Sequence, residues 1–276
     1  MRLYRLKSPV TLTGWTMLGF KPCKVVFLPA KPGVQLGDPL ELRLRDRRTE
    51  LSFSNATIKP RRIETNFFGT KIAATEHYSP LRFLFPGIGI FCENGEVPHF
   101  TCTGHIIKAL LESSYAEEVE PIWFTTRHVG SYNYAKMRGG MFASTFVMPN
   151  SNRELVIEIT IRFEKFGRLM RRFTFPNTGL MLKALSVELL GTPAWLEKPA
   201  KLLWAHGKNT YWPKNDEDHE VVLEKILLHR LHDILGAIAL LQPPRTGGFP
   251  SLKVESVCSG HLADYFALRN IETVPL

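Results

Sequence analysis

Three short stretches of this chain hold the residue types that metal-assisted hydrolysis needs: Thr75-Glu76-His77, His229-x-x-x-Asp233 and Ser259-Gly260-His261. His229 and Asp233 are four residues apart in a helical pattern, so an imidazole and a carboxylate face the same way, one turn apart. That spacing can grip one metal ion, and it equally suits an i,i+4 ion pair at the edge of a core. With His77 added, the pair becomes a set of three protein ligands with a fourth position open for water. Glu76 adjoins His77 and is then placed to act as general base toward that water. His261 is left to protonate a leaving amine or to hold a developing oxyanion. Such a ligand set accepts Zn2+ or Fe2+.

His229 and Asp233 must be positioned by a helix, predicted over 220–242. Glu220 and Glu224 lie near its start, where acids suit the dipole, and Pro243-Pro244 stop it. Leu223, Ile226, Leu227, Ile234, Leu235, Ile238 and Leu241 recur at helical spacing as a buried stripe. A polar pair on that stripe costs free energy unless something satisfies it.

The stretch 70–93, which carries Glu76 and His77, reads as strand, helix, strand. Pro80 is tolerated only in a first turn, so the helix is predicted to begin near Glu76 and to end at Pro86-Gly87. Upstream, Lys24 to Leu28, Glu41 to Arg45 and Leu51 to Ser54 read as strands, with a Pro- and Gly-rich loop at 29–39. Downstream, the pattern predicts a helix over 105–114, a linker at 117–121, and strands over 142–148, 155–163 and 172–175. A helix over 180–190, a strand over 200–205 and a strand over 251–255 follow, the last leading into His261. Each half runs strands, helix, strand, although no sequence repeat is visible. Grouped strands with few helices predict the α+β class.

Composition sets the limits. The 276 residues are 44% hydrophobic and 22% charged, as in a globular protein. No apolar run approaches the roughly 18 residues a membrane span needs. The N-terminal MRLYRLKSPVTLTGW has no apolar signal core, so a cytoplasmic location is expected. The four cysteines, Cys23, Cys92, Cys102 and Cys258, are scattered without a CxxC; Cys92 and Cys102 are near enough to bridge, but reduced thiols are expected. A net charge of +9 suits nucleic acid, anionic lipid or a phosphate-bearing substrate. The densest basic clusters, 43–48 and 168–172, resemble neither a groove-reading helix nor an RNA-binding sheet, so nucleic acid is not expected as a partner.

In this order, the three motifs resemble those of the zinc-dependent UDP-3-O-acyl-N-acetylglucosamine deacetylases of lipid A synthesis. The family's T-V-E-H-L reads Ala74-Thr75-Glu76-His77-Tyr78 here; its H-K-x-x-D-x-x-G-D reads His229-Arg230 through Asp233 to Gly236-Ala237; its S-G-H is Ser259-Gly260-His261. Glu96-Val97-Pro98 falls where the family has E-I-P, and Pro29-Ala30 where it has a P-A turn. The resemblance spans nearly the whole chain and is sharp at the three motifs. It implies two similar α+β domains, 1–118 and 119–276, each a β-sheet packed on helices, with the helices sandwiched between the sheets and the metal between the domains. It implies zinc on His77, His229 and Asp233, Glu76 as base, and His261 acting as its imidazolium. The substrate it implies is an acylated UDP-amino sugar, met in transient contact with the inner membrane surface by a monomer.

Some family features are replaced. The aspartate that orients the catalytic histidine is Ala237 here, for which Asp264 is a candidate substitute. The lysine beside the metal ligand is Arg230, a substrate-binding candidate that keeps charge but not geometry. The family's M-D-G-S is Phe100 to Thr103, and Tyr78-Ser79-Pro80 alters the start of the helix after His77. Thr174 and Phe175 are candidates for the substrate-contacting T-F, with Ser186 the alternative. His99, His105, His128, His206 and His219 lack metal spacing, and His232, one turn from His229 but on a rotated face, is expected behind the ligands or at the surface. Trp195, Trp204 and Trp212 would suit either a sugar site or the core. Three functional classes follow: the family's own deacetylation, a related zinc amidase acting on another acylated amino sugar, and a non-catalytic regulatory homologue that retains zinc.

Overall fold

The structure, a computed structural model, describes all residues except 17–20, 60–61, 68–69, 73–74, 93–96, 100–102, 136–141, 164–165, 188–210, 212, 215 and 245–246. The expected strand at 200–205, Cys102, Trp195, Trp204, Trp212 and His206 lie outside the described residues, as do Ala74 and Glu96 of the quoted motifs. The first part of the chain runs β1 (Arg2–Leu6), β2 (Val10–Thr16), β3 (Pro22–Leu28), β4 (Glu41–Leu44), β5 (Arg47–Glu50), β6 (Ala56–Lys59), β7 (Arg62–Phe67) and β8 (Thr70–Ile72). Two 3-10 turns, Thr75–His77 and Ser79–Phe83, lead to β9 (Gly89–Cys92), β10 (Pro98–His99), α1 (Gly104–Glu112) and β11 (Ser114–Glu118). The rest runs β12 (Trp123–Thr126), β13 (Gly130–Ala135), β14 (Phe142–Pro149), β15 (Leu155–Phe163), β16 (Gly167–Phe175), α2 (Thr178–Leu185), α3 (His219–Ile238), β17 (Phe249–Pro250), β18 (Leu252–Val257), α4 (His261–Leu268) and β19 (Thr273–Pro275).

The described residues form a mixed α/β structure with more strand than helix, in five sheets. The two largest share a plan. One contains β2-β3-β9-β4-β5, with β10 added outside β2; the other is β13-β14-β18-β15-β16. In both, the third neighbour is a late strand returning to the middle of the sheet. It lies antiparallel to the strand before it and parallel to the one after. The outer pairs of both sheets are antiparallel.

β15 shows why the middle of a sheet is apolar. Leu155, Ile157, Ile159 and Ile161 are buried, while Glu158 and Arg162 reach outward. α3 is the spine. The Asp218 side chain accepts hydrogen bonds from the Glu220 and Val221 amides, which supplies the N-cap. From Arg230 to Ile238 every residue of α3 is buried, against α2, α4, β15, β16 and both 3-10 turns. Among the described residues no helix is long and apolar enough to cross a membrane.

Several expectations are corrected. The segment after β8 is two 3-10 turns and not an α-helix; Pro80 opens the second, and its missing N–H and fixed φ favour a tight short turn. Leu51 to Ser54 is a turn. The Asn55 side chain accepts from the Ser52 amide and donates to the Glu50 carbonyl, so the backbone is satisfied without a ladder. The linker expected at 117–121 begins as β11, paired with β1 and tied by Arg2–Glu118 and Arg5–Glu117 contacts of 2.9 and 3.0 Å. α3 ends at Ile238, short of Gln242. Beyond its end the buried guanidinium of Arg82 donates to the carbonyls of Ala239 (2.6 Å) and Leu241 (2.8 Å), and also to that of Gly37. Among the described residues, no disulfide joins Cys23, Cys92 or Cys258.

Candidate functional site

The Glu76-His77 turn sits directly on α3. A Cβ on Gly236 would stand 2.4 Å from the Glu76 carbonyl oxygen, so only glycine permits this approach. Ser79 Oγ donates to the Gly236 carbonyl at 2.8 Å, which fixes the turn to the helix. Glu76 is buried, and its Oε2 accepts from the Ile63 amide at 3.0 Å. Its Oε1 lies 3.9 Å from His77 Nε2. Burial pushes the Glu76 carboxyl up to about 8, against the opposing effect of its backbone hydrogen bonds.

His229 Nε2 lies 3.7 Å from Asp233 Oδ1, and His261 Nε2 lies 3.7 Å from Asp233 Oδ2. Asp233 thus stands between two imidazoles. Burial alone would raise its pKa, but the charges of His261, His229 and Arg230 outweigh burial and hold it below the usual carboxylate range. His261 is pulled below the usual histidine value by burial, with the Asp233 charge acting the other way. Burial therefore favours the neutral imidazole, and the imidazolium that the resemblance implies would depend on Asp233.

Around this core lies a network of hydroxyls and charges. Arg230 Nη2 contacts Asp264 Oδ1 at 2.5 Å and donates to Ser259 Oγ at 2.8 Å. Thr145 Oγ1 donates to Asp264 Oδ1 at 2.9 Å, and Ser256 and Ser259 share a 2.7 Å hydrogen bond. α4 is helical, as a partnership between Asp264 and His261 would require. Asp264 nevertheless turns to Arg230, and among the described residues the buried His261 Nδ1 has no hydrogen-bond partner. Ala237 is buried and supplies no carboxylate.

His232, expected either behind the ligands or at the surface, takes the first of these places: it is 1% exposed, its ring centroid is 5.7 Å from that of His77, and its Nδ1 is bonded to the Ala184 carbonyl at 3.1 Å. Burial lowers its pKa to about 4. Its place three residues beyond His229 on the buried helix was the available signal. Thr174 and Phe175 do not join the cluster. They alternate on β16, Thr174 exposed and Phe175 in the core. Ser186 is exposed at the end of α2.

Among the described residues no three His, Cys, Asp or Glu side chains converge closely enough to hold a metal ion as they stand. The donor chemistry nevertheless fits zinc. Among the described residues, Asp233 Oδ1 is buried without a hydrogen-bond partner and faces an imidazole nitrogen. Two donors on a tetrahedral zinc stand roughly 3.3–3.4 Å apart, given bonds of about 2.0–2.1 Å. The 3.7 Å His229–Asp233 separation is near that figure. No protein-family model matches the chain, and no curated protein matches it.

Proposed function

We propose that this chain is a zinc-dependent amide hydrolase that removes an N-acetyl group from an acylated amino sugar, as its resemblance to the lipid A deacetylases implies. In this reading it consists of two similar α+β domains, 1–118 and 119–276, with helices between two sheets. It works as a cytoplasmic monomer at the inner membrane surface on a UDP-linked substrate, with which a net charge of +9 is in keeping. The observation that carries the proposal is the meeting of the Glu76-His77 turn with the His229/Asp233 face of α3, with His261 Nε2 3.7 Å from Asp233.

His77, His229 and Asp233 would hold the zinc, which when bound supplies Lewis acidity toward a carbonyl and acidifies water. Glu76 is fixed by the Ile63 amide at Oε2, leaving Oε1 to take a proton. From there the proton can pass to the departing amine. His261 offers Nε2 to the leaving nitrogen or the developing oxyanion. Arg230 is held among Asp264, Ser256 and Ser259, so a role in binding substrate would fall to the edge of its guanidinium that these partners leave open.

Metal analysis of the purified protein beside His229→Ala tests the centre. About one zinc per chain, lost in the variant, is the expected result. No metal in the wild type after zinc is supplied would sink the reading. Acetate release from UDP-3-O-acyl-GlcNAc against simple N-acetyl sugars then tests the substrate. A related amidase with another acylated amino sugar is favoured instead by one observation: among the described residues, no carboxylate accepts from His261 Nδ1. A non-catalytic homologue would tolerate Glu76→Gln without loss of biological activity.

A further inference from the structure

Arg230 follows His229 on α3, and its guanidinium faces two carboxylates. Nη2 is 2.5 Å from Asp264 Oδ1, and Nη1 is 3.9 Å from Asp233 Oδ2. All three residues are at most 6% exposed. Asp264 is fully buried and held by Thr145 Oγ1, while Ser256 and Ser259 hold the same guanidinium nitrogen. Among the described residues, Arg230 Nε and Nη1 have no hydrogen-bond partner.

A cation this close to a ligand carboxylate works against binding of a dication there, and the low dielectric of a buried site strengthens that repulsion. A buried guanidinium also demands an anion. If Asp264 did not supply one, the carboxylate that Nη1 already faces is Asp233. The guanidinium would close on it and compete with the metal for its oxygens.

We propose that Asp264 is a positioning residue that holds the Arg230 guanidinium off Asp233 and cancels its charge, leaving Asp233 available to a divalent cation. This rests on the zinc reading of the same site. It also gives Asp264 a different task from orienting His261. The serine and threonine hydroxyls around the pair fix the direction in which the guanidinium points, so the pairing selects one carboxylate over the other. Removing either member of the pair should therefore move metal affinity in opposite directions. Losing Asp264 frees a cation beside Asp233, whereas losing Arg230 leaves an extra anion near the site. A merely structural pair would weaken metal binding on both changes.

The test is zinc affinity of the metal-free protein, measured by competition with a chromogenic chelator, for wild type, Asp264→Asn, Asp264→Glu and Arg230→Met. Asp264→Asn is expected to weaken zinc by about 10–100-fold, the range for partners of metal ligands. Asp264→Glu is expected to stay near wild type, and Arg230→Met to bind at least as tightly as wild type. Equal affinity in Asp264→Asn and wild type would overturn the inference and leave the zinc reading standing. If Asp264→Asn does not fold, Arg230→Met decides: affinity at or above wild type supports the inference, and a tenfold loss overturns it. A wild type that binds no zinc would overturn the zinc reading, and the inference with it.

Discussion

The two large sheets invite comparison strand by strand. β2-β3-β9-β4-β5 and β13-β14-β18-β15-β16 have the same order and the same directions, and each takes its returning strand into the middle. They differ in what precedes and follows that strand. Before β9 stand two short 3-10 turns carrying Glu76 and His77; before β18 comes α3, 20 residues long, carrying His229 and Asp233. After each returning strand a helix opens on the same kind of triplet, Thr103-Gly104-His105 at α1 and Ser259-Gly260-His261 at α4. His105 is exposed, whereas His261 faces Asp233. The repeated part is thus the scaffold; Glu76, His77, His229 and Asp233 lie in connections that are not repeated, and His261 lies on a triplet whose position is repeated but whose surroundings are not.

The largest expected effect is on rate. Glu76→Gln and His261→Ala should each lower turnover by about 10²–10⁴-fold, the range for a lost acid or base, as read in the acetate-release assay. Glu76→Gln carries a second, opposite signature. In metal-free protein the folded carboxyl holds its proton up to about 8 while the unfolded one releases it near 4.5, so folding stability falls as pH rises through that window. The neutral amide removes this loss, and metal-free Glu76→Gln should melt higher than wild type at pH 9 and equally at pH 4.

His232 gives the next effect. Its folded pKa of about 4 lies below its usual 6.5, so between those values the unfolded chain binds the extra proton and stability falls as pH falls. Acidification across that window should cost about 3 kcal/mol through this residue, and His232→Asn should flatten the acid limb in urea titrations. Gly236→Ala follows. Its Cβ would meet the Glu76 carbonyl at 2.4 Å, which should cost about 1–3 kcal/mol in denaturant unfolding and shift the Glu76 turn enough to slow the reaction. The smallest effect belongs to His105→Ala, expected within about 0.5 kcal/mol of wild type in stability and within twofold in rate. A large loss there would erase the asymmetry between the two triplets.

Much of the scaffold was legible where one rule dominated. β15 matches its predicted bounds because a continuous apolar run fits a strand buried between neighbours. α3 was legible from its apolar stripe, the acids Glu220 and Glu224 near its start and Pro243-Pro244 beyond it, whereas its Asp218 cap was not read. β11 and most of β16 were not, because both are polar: Glu117 and Glu118 fall in the stretch 117–121 that reads as a linker, and the arginines of Gly167–Phe175 hide an edge strand. The 51–54 turn misled because four alternating residues say little against one well-placed Asn55. At the site, residue types and spacing pointed to Glu76, His77, His229, Asp233 and His261. Which partner Asp264 would choose was not legible, since the choice depends on Arg230 and Thr145 arriving from other elements.

Arg82 bears on whether the halves can exist apart. Its buried charge, brought down to about 10 by burial, is received by carbonyls from both parts of the chain: Gly37 on one side, Ala239 and Leu241 on the other. Tyr265 adds a second tie, donating to the Ala56 carbonyl at 2.8 Å. A fragment ending at Glu118 would keep the cation and lose two of its three acceptors, so the structural repeat does not amount to two autonomous units. Each half thus supplies carbonyls that a buried donor of the other needs, Arg82 in one direction and Tyr265 in the other.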